Sequence, residues 1–497
     1  MGRVLTNNTA LSFTVETSLG TAGTTWTSLE PNDIGTFGAT TTTVAREPIS
    51  KDRARRKGTI TDLESAVEFE SDLTVDAMSD FAEGFVMATS PLAALRWDNV
   101  SYDSASGEFR DLAAFTTASA ALMEYTASAA QSLVHASGFG SNSGVYKINV
   151  QPANTDTVLS VASGPSADIA AAPGQRLEVC GVSSGAADIT ISVTSGVATI
   201  TSAADITDWS AFGLLVGQTI YVGRVAGGGA SYGYGRITSI SGATLTLDKI
   251  DATLVSVAGQ QMDFMFGQFY RNVSTDDAAF IERSYQFELA MPNLGAASAT
   301  AYEYAKGNFA NTLSLNVPLA DKSTMSLGFV GTDTEVPTTT QKTHSADVEP
   351  GKTEAFNTSA DVLRMRVTDV DENAMTSCFK DFTLTLNNNV SPERCIGTLG
   401  AEFMNTGNFL VDLEAEVLFT DVDVVSAIRN NETVTLDAVI RNNDGAVAVD
   451  IPSLTLGDGA KSFPVNESVT ISLSGQAFND ATLGTSVGIS TLPGVPA

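Results

Sequence analysis

The sequence predicts an all-β protein: two tandem β-sandwich or barrel domains, each with a short flanking helix, plus a small β module inserted into the first. Three observations lead there. Long stretches alternate polar and apolar residues with the period of two that a half-buried strand requires. A loop, an acidic strand and a short helix follow one another twice, once near each end of the chain. Between the copies the composition shifts to Ala, Ser, Gly and Thr, with short apolar runs set apart by turn residues.

The first copy runs from Ile49 to Met87. It opens on a basic cluster, Lys51, Arg53, Arg55, Arg56 and Lys57. Glu64, Glu68, Glu70 and Asp72 then fall on one face of a strand, and Leu63, Val67, Phe69, Leu73 and Val75 on the other. Met78, Phe81 and Phe85 follow at helical spacing, so a short amphipathic helix is expected from about Asp76, which would serve as its N-cap. The second copy runs from Val390 to Asn431. Asp412, Glu414 and Glu416 share a face opposite Val411, Leu413, Ala415 and Val417, and Asp421 to Arg429 reads as the helix. The lead-ins correspond as well, TTTTVAREPIS before the first copy and FTLTLNNNVSP before the second. SLGFVG (326–331) and ISLSGQ (471–476) match in place and pattern. Duplication of a diverged domain explains all of these matches.

Length and boundaries fit this scheme. The 497 residues allow roughly three domains of about 150 residues each. We expect residues 1–112 to form the first part of domain one and 113–260 the inserted module. Residues 261–345 would complete domain one, and 346–497 would form domain two. Surface loops tolerate such insertions because closure entropy grows slowly with loop length. The stretch 331–352 reads as a linker or a hairpin tip.

The net charge of −30 argues against a chain that grips nucleic acid by its phosphates, which takes a basic footprint. It does not argue against a surface past which nucleic acid slides. The 43% hydrophobic content supplies ample core, so the charge does not signal disorder. Cys180, Cys378 and Cys395 are too few and scattered for a disulfide framework. With neither a signal peptide nor an apolar run of membrane length, the chain reads as soluble and made in the cytoplasm.

No catalytic residue, metal site or cofactor is expected. His135 and His344 are the only histidines. GVSSG (181–185) matches a nucleophile-elbow pattern around Ser183, but that motif needs a strand-to-helix turn and none is in reach. GGGASYGYG (227–235) lacks the lysine of a phosphate loop, and GDGAKS (457–462) has Ala460 where a glycine must precede Lys461; both read as hairpin loops. DVDEN (369–373) begins like a calcium loop but has Ala374 and Lys380 where Gly and Glu are needed. The basic cluster suits contact with an acidic neighbouring subunit better than DNA binding, given the net charge. The acidic stripes have a plain alternative, the wet face of an ordinary sheet. Their presence in both copies favours a function.

PNDIGTFGATTTTVAREPISKDRARRKGTITDLESAVEFESDLTVDAMSDFAEGF (31–85) resembles the N-terminal signature of the tail tube proteins of long-tailed, siphovirus-type bacteriophages. HASGFGSNSGVYKI, VGQTIYVG and the ending VDIPSLTLGDGAKSFPVNESVTISLSG are similar to that family too, so the likeness covers most of the chain. It implies two tandem tail-tube β-sandwich or barrel domains whose strands join across subunits around a channel. Rings would stack between capsid and tail tip in the virion, guided by a tape-measure protein and ended by terminator and tip proteins. Double-stranded DNA would pass at ejection without specific binding, and no membrane is involved. Family members with one tube domain form hexameric rings, so two per chain imply a trimer with pseudo-sixfold symmetry, with a true hexamer as the alternative. Glu64, Glu68, Glu70, Asp72, Asp412, Glu414 and Glu416 would then line the lumen, and Lys51, Arg53, Arg55, Arg56 and Lys57 would form an inter-subunit loop. A tail-surface adhesin or carbohydrate-binding β protein is the rival reading, because Ser/Thr/Tyr-rich loops often bind partners.

Overall fold

Eight strands run through both halves of the chain as one continuous antiparallel sheet. They are β1 (Asp33–Arg46), β2 (Arg56–Asp72), β3 (Thr300–Asn316), β4 (Thr324–Gly331), β5 (Phe379–Asn387), β6 (Leu410–Leu418), β7 (Gly445–Ser462) and β8 (Thr470–Ala477). The computed structural model describes residues 4–49, 51, 54–92, 95–110, 130–149, 158–225, 227–293, 300–369, 374–376, 378–420 and 422–496. Across the sheet the order is β1-β2-β4-β3-β5-β6-β8-β7. The second four strands repeat the order of the first four. Duplication is therefore visible in the hydrogen bonding and not only in the residue pattern.

β3 and β7 are long enough to serve two layers. The first half of β3 pairs with Ser284–Pro292, which pairs with Ala10–Val15. The first half of β7 pairs with Thr433–Arg441, which pairs with Val362–Asp369. Each half of the molecule is thus a β-sandwich bent around one long strand, with a helix closing its core.

Helix α1 (Val75–Val86) follows β2, and helix α2 (Asp423–Asn430) follows β6. Thr74 caps α1, its hydroxyl accepting from the Ala77 N–H at 3.0 Å, so the cap lies two residues before the expected Asp76. Asp76 is instead buried in the first turn and ion-paired with Arg176. Met78, Phe81 and Phe85 pack on the apolar face of the sheet against Phe69, Phe287 and Phe329. Gly84 lets the helix approach Tyr285, since a Cβ there would lie 2.2 Å from the phenolic oxygen. We expect Gly84→Ala to lower stability by about 1–3 kcal/mol through overpacking, read as a shift in denaturation midpoint. The second helix begins at Asp423; Asp421 lies outside the described residues.

The chain between α1 and Ser284 builds a separate antiparallel sheet whose strands run from Arg96–Asp98 to Asp263–Met265, wider at both ends than the span 113–260 expected for the insertion. It leaves domain one in sequence yet docks on domain two. Leu133, Cys180, Tyr221, Tyr234 and Met265 cluster with Val439, Ala446, Ala448, Leu492 and Val495. Beside them, Arg236 and Lys249 of the module reach Asp450 of β7 at 2.9 and 2.6 Å. Asp251 pairs with Arg364 at 2.7 Å, and Arg364 also pairs with Asp437, the cross-strand partner of Asp450.

Two loop expectations change. GGGASYGYG does join two paired strands, Thr219–Gly223 and Gly233–Ser241. GDGAKS is not a hairpin loop but the outer part of β7, where positive φ at Asp458 and Gly459 accommodates a bulge in the pairing with β8. The stretch 331–352 contains short strands at Asp333–Thr334 and Ala346–Val348, both paired to domain one. Residues 370–373 of DVDEN lie outside the described residues.

Candidate functional site

Register decides where the carboxylates point. Residues directly opposite one another in neighbouring strands share a face. One row reads Asp33, Glu70, Ser326, Ser314, Thr385, Asp412 and Gln476, crossing β1, β2, β4, β3, β5, β6 and β8. The next reads Asp72, Thr324, Asn316, Thr383, Glu414 and Ser474. The row on the other side of Glu70 is apolar and on the opposite face, Ile34, Phe69, Leu327, Leu313, Leu386 and Val411. The acidic stripes of the two copies therefore lie on one face of one sheet, with hydroxyls and amides between them. Glu64, Glu68, Asp412 and Glu414 are exposed there, and Glu70, Asp72 and Glu416 half-buried.

Some of this charge is locally neutralised. Lys322 approaches Asp72 at 2.6 Å, and Arg394 binds Asp62 at 3.0 Å and Glu64 at 2.9 Å. Both cations come from loops distant in sequence, which alternation cannot anticipate. Glu68 accepts from the Thr36 hydroxyl at 3.1 Å, and no ion pair to Glu68, Glu70, Asp412, Glu414 or Glu416 occurs among the described residues.

Two carboxylates escaped the sequence reading. Asp33 stands opposite Glu70, and Asp381 stands opposite Glu416. Like charges directly opposed destabilise a sheet. The same costly juxtaposition occurs in both halves. The alternation of FTLTLN puts Asp381 on the polar side, whereas Asp33 reaches it only through the register shift between Ile34 and Thr36, which alternation does not reveal.

The basic cluster sits at the end of the β1–β2 hairpin. Pairing of β2 with β4 stops at Ser65, so among the described residues Arg56 to Glu64 pair only with β1 and project past the sheet as an arm. Lys51, Arg55, Arg56 and Lys57 are exposed at its tip, with Arg55 paired to Glu47 at 2.8 Å. Arg53 lies outside the described residues.

The residues weighed for catalysis have structural surroundings. Ser183 ends the strand Arg176–Ser183, is buried, and accepts from Lys147 Nζ at 2.7 Å. His135 is buried beside Glu178. His344 stacks on Trp26 and bonds Asp347 and Glu288, fastening the 331–352 stretch to domain one. No group of three or more His, Cys, Asp or Glu able to hold a metal occurs among the described residues, nor does a helix long and apolar enough to cross a membrane.

An extended charged face on a duplicated antiparallel sheet, backed by an apolar core, defines an all-β protein. More narrowly, the chain belongs to the phage tail tube protein family, whose profile matches residues 6–477. A comparison with curated proteins finds no match. Membership makes the chain a structural component of the virion tail that assembles with further copies into the tail tube and associates with other tail proteins.

Proposed function

We propose that the acidic face of the eight-stranded sheet lines the channel of the tube and keeps the passing genome from adhering. The observation that carries this is the shared face: two acidic strands, four strands apart, point the same way in a duplicated sheet. Phosphates within about 8–10 Å of such a face feel its repulsion at physiological salt, and a narrow channel holds a duplex inside that range. Three chains supply six copies of the four-strand unit, so the ring is a trimer with pseudo-sixfold symmetry, and the role is structural rather than catalytic. The projecting arm with Lys51, Arg53, Arg55, Arg56 and Lys57 contacts a neighbouring subunit, where it meets the acidic surface of another copy. A tape-measure protein inside the tube, and terminator and tip proteins at its ends, complete the set of partners in a long-tailed phage.

Negative-stain microscopy of the purified chain tests this reading. Hollow rings or tubes are expected, with end-on averages showing three strong and three weaker lobes, since only one half of each chain carries the module. Monomers at assembly concentrations, or rings without a lumen, would sink it.

A further inference from the structure

The chain contains one complete junction between four-strand units and the two unmatched halves of another. The inner half of β3, Thr312 to Asn316, has β4 on one side and β5 on the other. Its counterpart, the outer part of β7 from Leu456 to Ser462, pairs with β8 alone, because the pairing with Thr433–Arg441 stops at Thr455. Likewise β5 lies between β3 and β6, whereas its counterpart β1 pairs only with β2 among the described residues. Both lone edges are exposed along most of their length. Open edges of this kind are templates for another strand.

We infer that β7 of one copy takes β1 of a second copy in the register that β3 and β5 use within the chain. The inference rests on the tube reading and specifies its seam. The two halves can be superposed strand by strand. TMSL (324–327) of β4 corresponds to TISL (470–473) of β8, so Asn316, opposite Thr324, corresponds to Ser462, opposite Thr470. Ser326 faces Glu70 and Ser472 faces Glu416, so Glu68 corresponds to Glu414, and their partners Thr36 and Thr383 correspond in turn. Within the chain Asn316 lies opposite Thr383, and the threonine hydroxyl donates to the Asn316 side-chain oxygen at 3.2 Å. Between copies Ser462 therefore lies opposite Thr36. One row further, Lys461 and Phe37 replace the leucine pair Leu315 and Leu384. The occupant is thus a second copy of this chain, since β1 carries the face pattern that β7 lacks a neighbour for.

Cysteine pairs read this register directly. Cross-strand partners sit about 4.5–5.5 Å apart at Cα, within the range a disulfide spans. The exposed Cys378 and Cys395 are first replaced by serine. Thr36→Cys with Ser462→Cys is then expected to give, on mild oxidation of assembled protein, a covalent ladder that closes at three chains on a non-reducing gel. Asn316→Cys with Thr383→Cys should oxidise within one chain and calibrates the geometry. Thr40→Cys with Ser462→Cys uses the same edges but sits about 13 Å out of register, and should give no ladder. Tubes that lack the first cross-link, or that show only the shifted one, overturn the seam while leaving the tube reading intact. Absence of any assembly by microscopy overturns both.

Discussion

Asp450→Asn is expected to destabilise the chain by about 3–5 kcal/mol and to loosen the inserted module, because it removes the carboxylate that buried Lys249 shares with Arg236, while Arg236 keeps Asp248. Lys249 and Arg236 both bind this carboxylate, and Lys249 and Asp450 are almost fully buried. Burial alone would raise the pKa of Asp450; Lys249 and then Arg236 outweigh it and hold the carboxyl below its ordinary value. Asp76 behaves alike, burial being opposed by Arg176 and then Arg96. The sign follows from linkage. A folded-state pKa below the unfolded value of 3.8 gives stability that is complete above that pH and is lost as pH falls through the folded value. Denaturation midpoints should therefore stay flat from neutrality to about pH 5 and then fall, more shallowly in Asp450→Asn than in the parent chain. A double variant, Asp450→Leu with Lys249→Met, should recover much of the loss, since Arg236 keeps Asp248 and apolar replacement of a buried ion pair is often neutral. Unchanged midpoints in Asp450→Asn would show that the Asp450 cluster does not hold the module, leaving that to the Tyr221–Tyr234–Met265 cluster and the Arg364 and Arg176 ion pairs.

What could be read from the sequence divides along physical lines. Alternation over Leu63–Val75 and Val411–Val417 revealed the strands, their faces and the repeat, because one face must be buried and the side-chain period is fixed. The neighbours of each strand were not legible. Nothing local in β3 says that its second half will join the two domains through β5. The ion pairs of Arg394 with Glu64 and of Lys322 with Asp72 connect residues hundreds apart, so the stripe looked more uniformly negative than it is. The bulge at Asp458–Gly459 looks like a loop in sequence because Gly and Asp signal turns and bulges equally well. The N-cap fell on Thr74 rather than Asp76 because Arg176, from the inserted module, claims the aspartate.

Glu68→Lys combined with Glu70→Lys should slow genome delivery by about tenfold or more while leaving tubes intact. Each copy would present two ammonium groups where it had two carboxylates, repeated in every ring along the tube. Cations facing phosphates displace counterions and bind, so transit changes from repulsive sliding to a series of attachments. The defect should shrink as salt is raised, because such contacts weaken steeply with ionic strength. Register separates this effect from misfolding. Glu70 stands opposite Asp33, so lysine there replaces a repulsive pair with an attractive one, and the tube should be no less stable than the parent. Glu68→Gln with Glu70→Gln should fall between the two, having lost the repulsion without gaining an attraction. The measurement is the rate of DNA release from variant phage particles triggered in vitro, with tail length and integrity checked by microscopy. Intact tails releasing DNA at the parental rate in both variants would mean that the carboxylates of β2 do not meet the genome.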